Sequence, residues 1–164
     1  MSNRAARMGT GYCMDICSSV AKAALDAVAR RYAAAIDRRD RVALLDVFTP
    51  HATMRVERPG RPSGAMTGHR ELVRIIDMVS RFPRTVHLIA QGLYIVDGDS
   101  AVGEVYCTAN HFTADEVGIG RNHVMYIRYL DRYSASGGRW RIAHRTLVVD
   151  ATEDRPVAIV EPDE

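Results

Sequence analysis

The chain has 164 residues, a formal net charge of +2 and a quarter of its residues charged. That length suits one domain with a real core and is too short for two. The small charge and scattered arginines give no footprint for nucleic acid or an anionic membrane, and no run approaches the roughly 18 apolar residues of a membrane span.

The first stretch, residues 1–17, holds Arg4, Arg7 and Asp15 without periodicity or an apolar signal-peptide core, and reads as a flexible leader. From Ser18, the apolar positions Ala21, Leu25, Val28, Tyr32 and Ile36 recur at steps of three and four. They form one face of a helix of about five turns. Asp40 is placed to cap a second short helix through Val42, Leu45 and Phe48, which Pro50 stops. Ala52 to Glu57 reads as a strand, and the Pro- and Gly-rich RPGRPSGAMTG reads as a loop. A third helix carries Leu72, Ile75, Ile76 and Val79 on one side and ends before Pro83.

The character then changes to strands. HLIAQGLYIV and AVGEVYCTANHF flank DGDS, and NHVMYIRYLDRY and RWRIAHRTLVVD flank SASGG, which predicts two long hairpins. The last residues, 152–164, are acidic and proline-spaced and read as a tail. Helices followed by an antiparallel sheet define an α+β domain over residues 18–151. Its long, twisted strands can curl around the helices as a cone with an apolar interior.

Two residues sit where helix and sheet should meet. Asp37 ends the first helix, where the macrodipole disfavours a carboxylate by about 0.3–1 kcal/mol. His87 opens the first long strand among Val86, Leu88 and Ile89, so its ring needs a partner or a polar cavity. Taken singly, Asp37 is explained by pairing with Arg38, Arg39 or Arg41, and His87 by a satisfied place in the core. Taken together, they form a carboxylate-oriented imidazole, the equipment of a general base. The partner of His87 across the hairpin depends on register. A three-residue turn brings His111 opposite it, and a two-residue turn brings Asn110 there and sends His111 to the other face. Tyr32, on the helix stripe, packs in the core or donates a hydrogen bond to a substrate oxygen. Tyr106, Tyr126 and Tyr129 are candidate pocket liners, and alternation puts His144 and Arg145 on opposite faces.

Other chemistries find no support. Walker A, dinucleotide and HExxH patterns are absent, and the six histidines lack zinc spacing. A two-His-one-carboxylate iron site from His87, His111 and a carboxylate is the one metal arrangement the sequence permits, and no metal or organic cofactor is expected. Three cysteines form no CxxC and suit a reducing, cytoplasmic setting.

The order of elements, with YAAAIDRRD, VHLIAQ followed by VDGDSAV, and RWRIAHR, resembles the SnoaL-like branch of the nuclear transport factor 2-like superfamily over roughly residues 20–150. The resemblance implies a cone-shaped α+β barrel with a deep pocket. The pattern is similar to scytalone dehydratase, bile-acid dehydratase and hexachlorocyclohexane dehydrochlorinase, which eliminate water or HCl with a His–Asp dyad. Carried over by motif, the dyad falls on Asp37 and His87, the second histidine of scytalone dehydratase on His111, the helix tyrosine of the bile-acid enzyme on Tyr32, and the dehydrochlorinase arginine near Arg145. Val56 stands where scytalone dehydratase has a water-holding tyrosine. The expected activity is cofactor-free dehydration, isomerisation or cyclisation of a small apolar polyketide-, terpenoid- or steroid-like molecule. Asn110, Tyr126, Tyr129, Arg145 and Val56 are the expected substrate contacts, in a homodimer or homotrimer. The alternative is a non-catalytic binding or assembly subunit, like the small subunit of ring-hydroxylating dioxygenases.

Overall fold

The computed structural model describes residues 8–114 and 120–158. Helix α1 (Met8–Arg38) is followed by α2 (Arg41–Asp46), β1 (Phe48–Arg58), β2 (Arg61–Thr67), α3 (Gly68–Leu72), α4 (Arg74–Val79), β3 (Arg84–Asp97), β4 (Ser100–Ala114), β5 (Gly120–Ser136) and β6 (Arg139–Val157). The six strands form one open sheet in the order β2-β1-β6-β5-β4-β3. The architecture is α+β, as the order of sequence patterns requires. The sheet is mixed rather than wholly antiparallel, because β1 runs parallel to β6. No described helix is long and apolar enough to cross a membrane.

Four boundaries differ from expectation. Helix α2 ends at Asp46 and β1 already starts at Phe48, so Phe48 is not helical and Pro50 lies in the strand rather than stopping the helix. The backbone of α1 starts at Met8, so part of the expected leader is helical, and residues 1–7 lie outside the described residues. The presumed loop after β1 contains a strand, β2. Pro59 and Gly60 make the turn, with Gly60 at φ 70° as the third position of a Pro-Gly turn requires. Pro62 is tolerated because β2 is an edge strand. At the other end β6 continues through Val157, paired residue by residue with β5, so residues 152–157 are sheet rather than tail, and residues 159–164 lie outside the described residues. The third helix is split in two at Val73.

The core lies between α1 and the inward face of the sheet. Leu25, Val28, Tyr32 and Ile36 of the predicted stripe, joined by Ala29, pack in one core with Val105, Cys107, Ala109, Ile127 and Tyr129, while Ala21 is only half-buried. Within this core lies a buried ion pair. Arg145 donates to Asp131 twice, Nε to Oδ1 at 2.8 Å and Nη2 to Oδ2 at 2.7 Å, and both side chains have zero exposure. The Tyr133 hydroxyl donates to the same carboxylate at 2.6 Å. The guanidinium packs over the faces of both Tyr32 and Tyr129, 4.2 and 4.0 Å from their centroids, the two rings themselves meeting edge to face. Removing one partner of such a pair strands a buried charge, which costs about 3–5 kcal/mol. Asp131→Asn should therefore lower the urea unfolding free energy by about that amount, and a loss below about 1 kcal/mol would show that the pair carries little of the fold.

Candidate active site

The end of α1 places Asp37. Arg39 takes a left-handed conformation, φ 58°, and the Arg39 and Asp40 amides donate to the Ile36 and Ala35 carbonyls at 3.2 and 2.9 Å. This is a Schellman-type ending with arginine where glycine is usual. The Arg39 side chain offsets that strain by donating to the carbonyls of Ile36, Val79 and Phe82 and to the Thr85 hydroxyl. It thereby ties the end of α1 to the segment that enters β3. Asp40 caps α2 as expected, accepting from the Ala43 amide at 2.9 Å.

Asp37 is thus held against the first residues of β3. Its Oδ1 accepts from the Thr85 hydroxyl at 2.9 Å and faces His87 Nδ1 at 2.7 Å, and its Oδ2 accepts from the His87 amide at 2.9 Å. None of the adjacent arginines takes the carboxylate: Arg39 is occupied as described, and Arg41 pairs with Asp77. Desolvation pushes the Asp37 pKa up, but the His87 ring and amide hydrogen bonds, the His87 charge and the Thr85 hydroxyl together hold it below the ordinary value. An ionised carboxylate only accepts, so His87 Nδ1 carries the proton and Nε2 is left with a free lone pair.

The hairpin register follows neither alternative drawn from the turn. The turn has two residues, since Asp97 pairs with Ser100. One extra residue then enters β3 between Ile89 and Gly92, and the bulge brings Ala109, not Asn110, opposite His87. Gly92 is the local sign of this bulge, because a Cβ there would lie 2.7 Å from the Tyr94 ring. The shift leaves His111 two residues along the same face, with its ring centroid 5.6 Å from that of His87. Asn110 lies on the opposite face, bonded to the Val86 carbonyl and to Asn122.

His87 and His111 line a cavity of about 410 Å³, together with Tyr32, Val56, Tyr129 and a largely apolar wall that includes Ile36, Met54, Met66, Ile75 and Leu147. The volume is in the range of small-molecule sites. His87 is only 7% exposed at its side chain, and His111 is 3% exposed. Burial, then the His87 charge, pushes His111 down to about 4. Its Nδ1 faces the His123 carbonyl at 3.3 Å and so carries the proton, which makes neutral His111 an acceptor at Nε2. Burial raises Tyr32 above its ordinary value, opposed in part by Arg145, so its hydroxyl stays protonated as a donor.

The expected contacts divide. Val56 and Tyr129 line the cavity. Arg145 is on the inward face but stands behind Tyr32 and Tyr129 rather than in the cavity wall. Tyr126 is 39% exposed and donates to Glu153 at 2.5 Å, away from the cavity. Sequence reasoning offered Arg39 only as an ion-pair partner of Asp37, and it missed Thr85, Phe82, whose ring lies tilted 4.7 Å from that of His111, and His123, which lines the cavity and pairs with Asp154 at 3.0 Å. Among the described residues no cluster of His, Cys, Asp and Glu could hold a metal ion. A larger, shallower groove of about 1180 Å³ between α1 and the sheet around Leu93 and Leu130 contains neither His87 nor His111.

The model of the SnoaL-like domain family matches residues 19–146. The chain belongs to the SnoaL-like family. Its fold is shared by solved structures of low identity. The Mycobacterium tuberculosis protein Rv3472, described as of unknown function, is 26% identical with TM-score 0.67, over 87% of this chain and 75% of that one. Hexachlorocyclohexane dehydrochlorinase LinA-type3 from Novosphingobium barchaimii is 16% identical with TM-score 0.72, over 90% and 99%. The protein Kfla4162 from Kribbella flavida is 20% identical with TM-score 0.73, over 83% and 95%. No curated protein sequence matches the chain.

Because His111 is neutral when folded and has an ordinary value of 6.5 when unfolded, the unfolded chain binds more protons between those limits. Stability from this group is therefore present above about pH 6.5 and is lost as pH falls through about 4. Asp37, with its lowered value, acts only further into acid. Urea midpoints at about pH 7 and about pH 4.5 should differ less in His111→Gln than in the parent protein, and equal differences would refute the buried neutral state.

Proposed function

We propose that this SnoaL-like protein is a cofactor-independent acid–base enzyme, a dehydratase or an isomerase/cyclase, acting on a small, largely apolar molecule. The observation that carries the reading is His87 at the cavity wall with its Nδ1 2.7 Å from Asp37 Oδ1, a contact in which Nδ1 donates and Nε2 keeps its lone pair when the ring is neutral.

Nε2 removes a proton from a substrate carbon whose C–H is activated by a neighbouring carbonyl. The electron pair of that bond moves into the substrate as an enolate, and the imidazolium formed is stabilised by Asp37. Tyr32 donates a hydrogen bond to the oxygen that gains charge. In elimination, the pair then forms the new double bond and expels a hydroxyl, which takes the proton from His87 and leaves as water. In isomerisation, the same proton returns to a different carbon. His111, a neutral acceptor, orients a substrate hydroxyl rather than supplying a proton. An assembly or binding subunit would have no need of an oriented imidazole facing a cavity.

The partner is a second copy of the chain, as dimer or trimer: Leu88, Leu93 and Ile95 on the outer face of β3 are 58%, 64% and 73% exposed.

On a substrate found by screening hydroxylated or ketonic polycyclic compounds, His87→Ala and Asp37→Asn should each lower kcat by about 10²–10⁴-fold while both variants remain folded. Tyr32→Phe should lower it less. Full turnover in either dyad variant would overturn the mechanism.

A further inference from the structure

The cavity carries charges that the dyad does not use. Of the β1 residues, Met54, Val56 and Arg58 line the wall, so an apolar run ends in a cation. Arg58 stands directly opposite Arg61 across the β1–β2 hairpin, and like charges so placed repel. Arg81, in the segment after α4, lines the same cavity with its guanidinium 4.8 Å from the centroid of the Phe82 ring.

Several surface arginines pair with acids, among them Arg30 with Asp26, Arg41 with Asp77, Arg55 with Glu57, and Arg128 with Glu104 and Asp150, while others such as Arg70, Arg84 and Arg132 have no ion pair among the described residues but do not line the cavity. Among the described residues, Arg58, Arg61 and Arg81 have no such partner. The acid on the cavity wall, Asp77, is taken by Arg41, and the remaining basic group there, His123, is taken by Asp154. Arg58 and Arg81 are both exposed while lining the cavity, so they stand at its mouth. The interior beyond them is apolar until it reaches His87 and His111.

We propose that Arg58 and Arg81, with Arg61 opposite Arg58, form a subsite for the oxyanion head of an amphipathic ligand, a carboxylate or a phosphate, whose apolar body fills the cavity towards His87. This rests on reading the cavity as a small-molecule site. Guanidinium groups bind such oxyanions through paired N–H donors, and the anion relieves the repulsion between Arg58 and Arg61. Anchoring the head at the mouth fixes which part of the body lies beside Nε2, so the subsite selects both the ligand and its orientation.

Calorimetric titration of the full chain with decanoate, decyl phosphate and decanol tests this. At least one of the anionic amphiphiles should bind about tenfold more tightly than the alcohol, with a preference that weakens as salt is added. Whichever anion binds better identifies the head group. In the double variant Arg58→Gln/Arg81→Gln, checked for an unchanged melting temperature, the preference should vanish while decanol binding persists. His87→Ala should keep the preference, because the subsite is separate from the dyad. Equal affinity for all three probes, or a preference retained in the double variant, would overturn the subsite and leave the cavity standing. Binding of none of them would overturn the cavity reading and the subsite together.

Discussion

The Asp37 carboxylate is the constraint around which the site is organised. It lies at the end of α1, where the helix dipole works against it. Three hydrogen bonds from the first residues of β3 outweigh that opposition: one from the Thr85 hydroxyl and two from His87. The same bonds dock α1 onto the sheet edge and set the His87 tautomer, so one small group links fold to chemistry. Arg39 makes this possible by ending the helix in a left-handed turn and bonding to both Thr85 and the backbone beyond α4.

Beneath the cavity lies a second polar device. The side chains of the Arg145–Asp131 pair are fully buried, and the guanidinium packs over two tyrosine rings of the cavity wall. It packs against Tyr32 and Tyr129, and its charge opposes the burial that raises the Tyr32 pKa. One Arg145 nitrogen, Nη1, has no hydrogen-bond partner among the described residues. Buried ion pairs seldom add stability over an apolar replacement, which directs attention to what this one does for the tyrosines.

Much of this was legible in the sequence, for physical reasons that differ by element. The stripe from Ala21 to Ile36 and the two long hairpins are strongly periodic, and periodicity follows directly from which face is buried. Asp37 and His87 stood out because each was a polar group at an apolar joint. The hairpin register did not stand out, because it depends on a bulge at Ala90 and Gln91 that changes no hydrophobic pattern. β2 was hidden by Pro62 and its glycines, whose turn-like composition is compatible with an edge strand. Asp131 was invisible as a partner of Arg145, since cross-strand pairing between them is set by the register of β5 and β6. Tyr126 and Asn110 were misplaced for the same reason: alternation says that two faces exist, and only the register says which one is inside.

The most direct test of the central claim is the protonation state of the His87 ring, read by nitrogen-15 NMR of histidine-labelled protein at about pH 8, where an ordinary histidine is neutral. The dyad requires a proton on Nδ1 and a free lone pair on Nε2, with Asp37→Asn losing that fixed preference. A ring protonated on Nε2, or one whose tautomer is indifferent to Asp37→Asn, would contradict it.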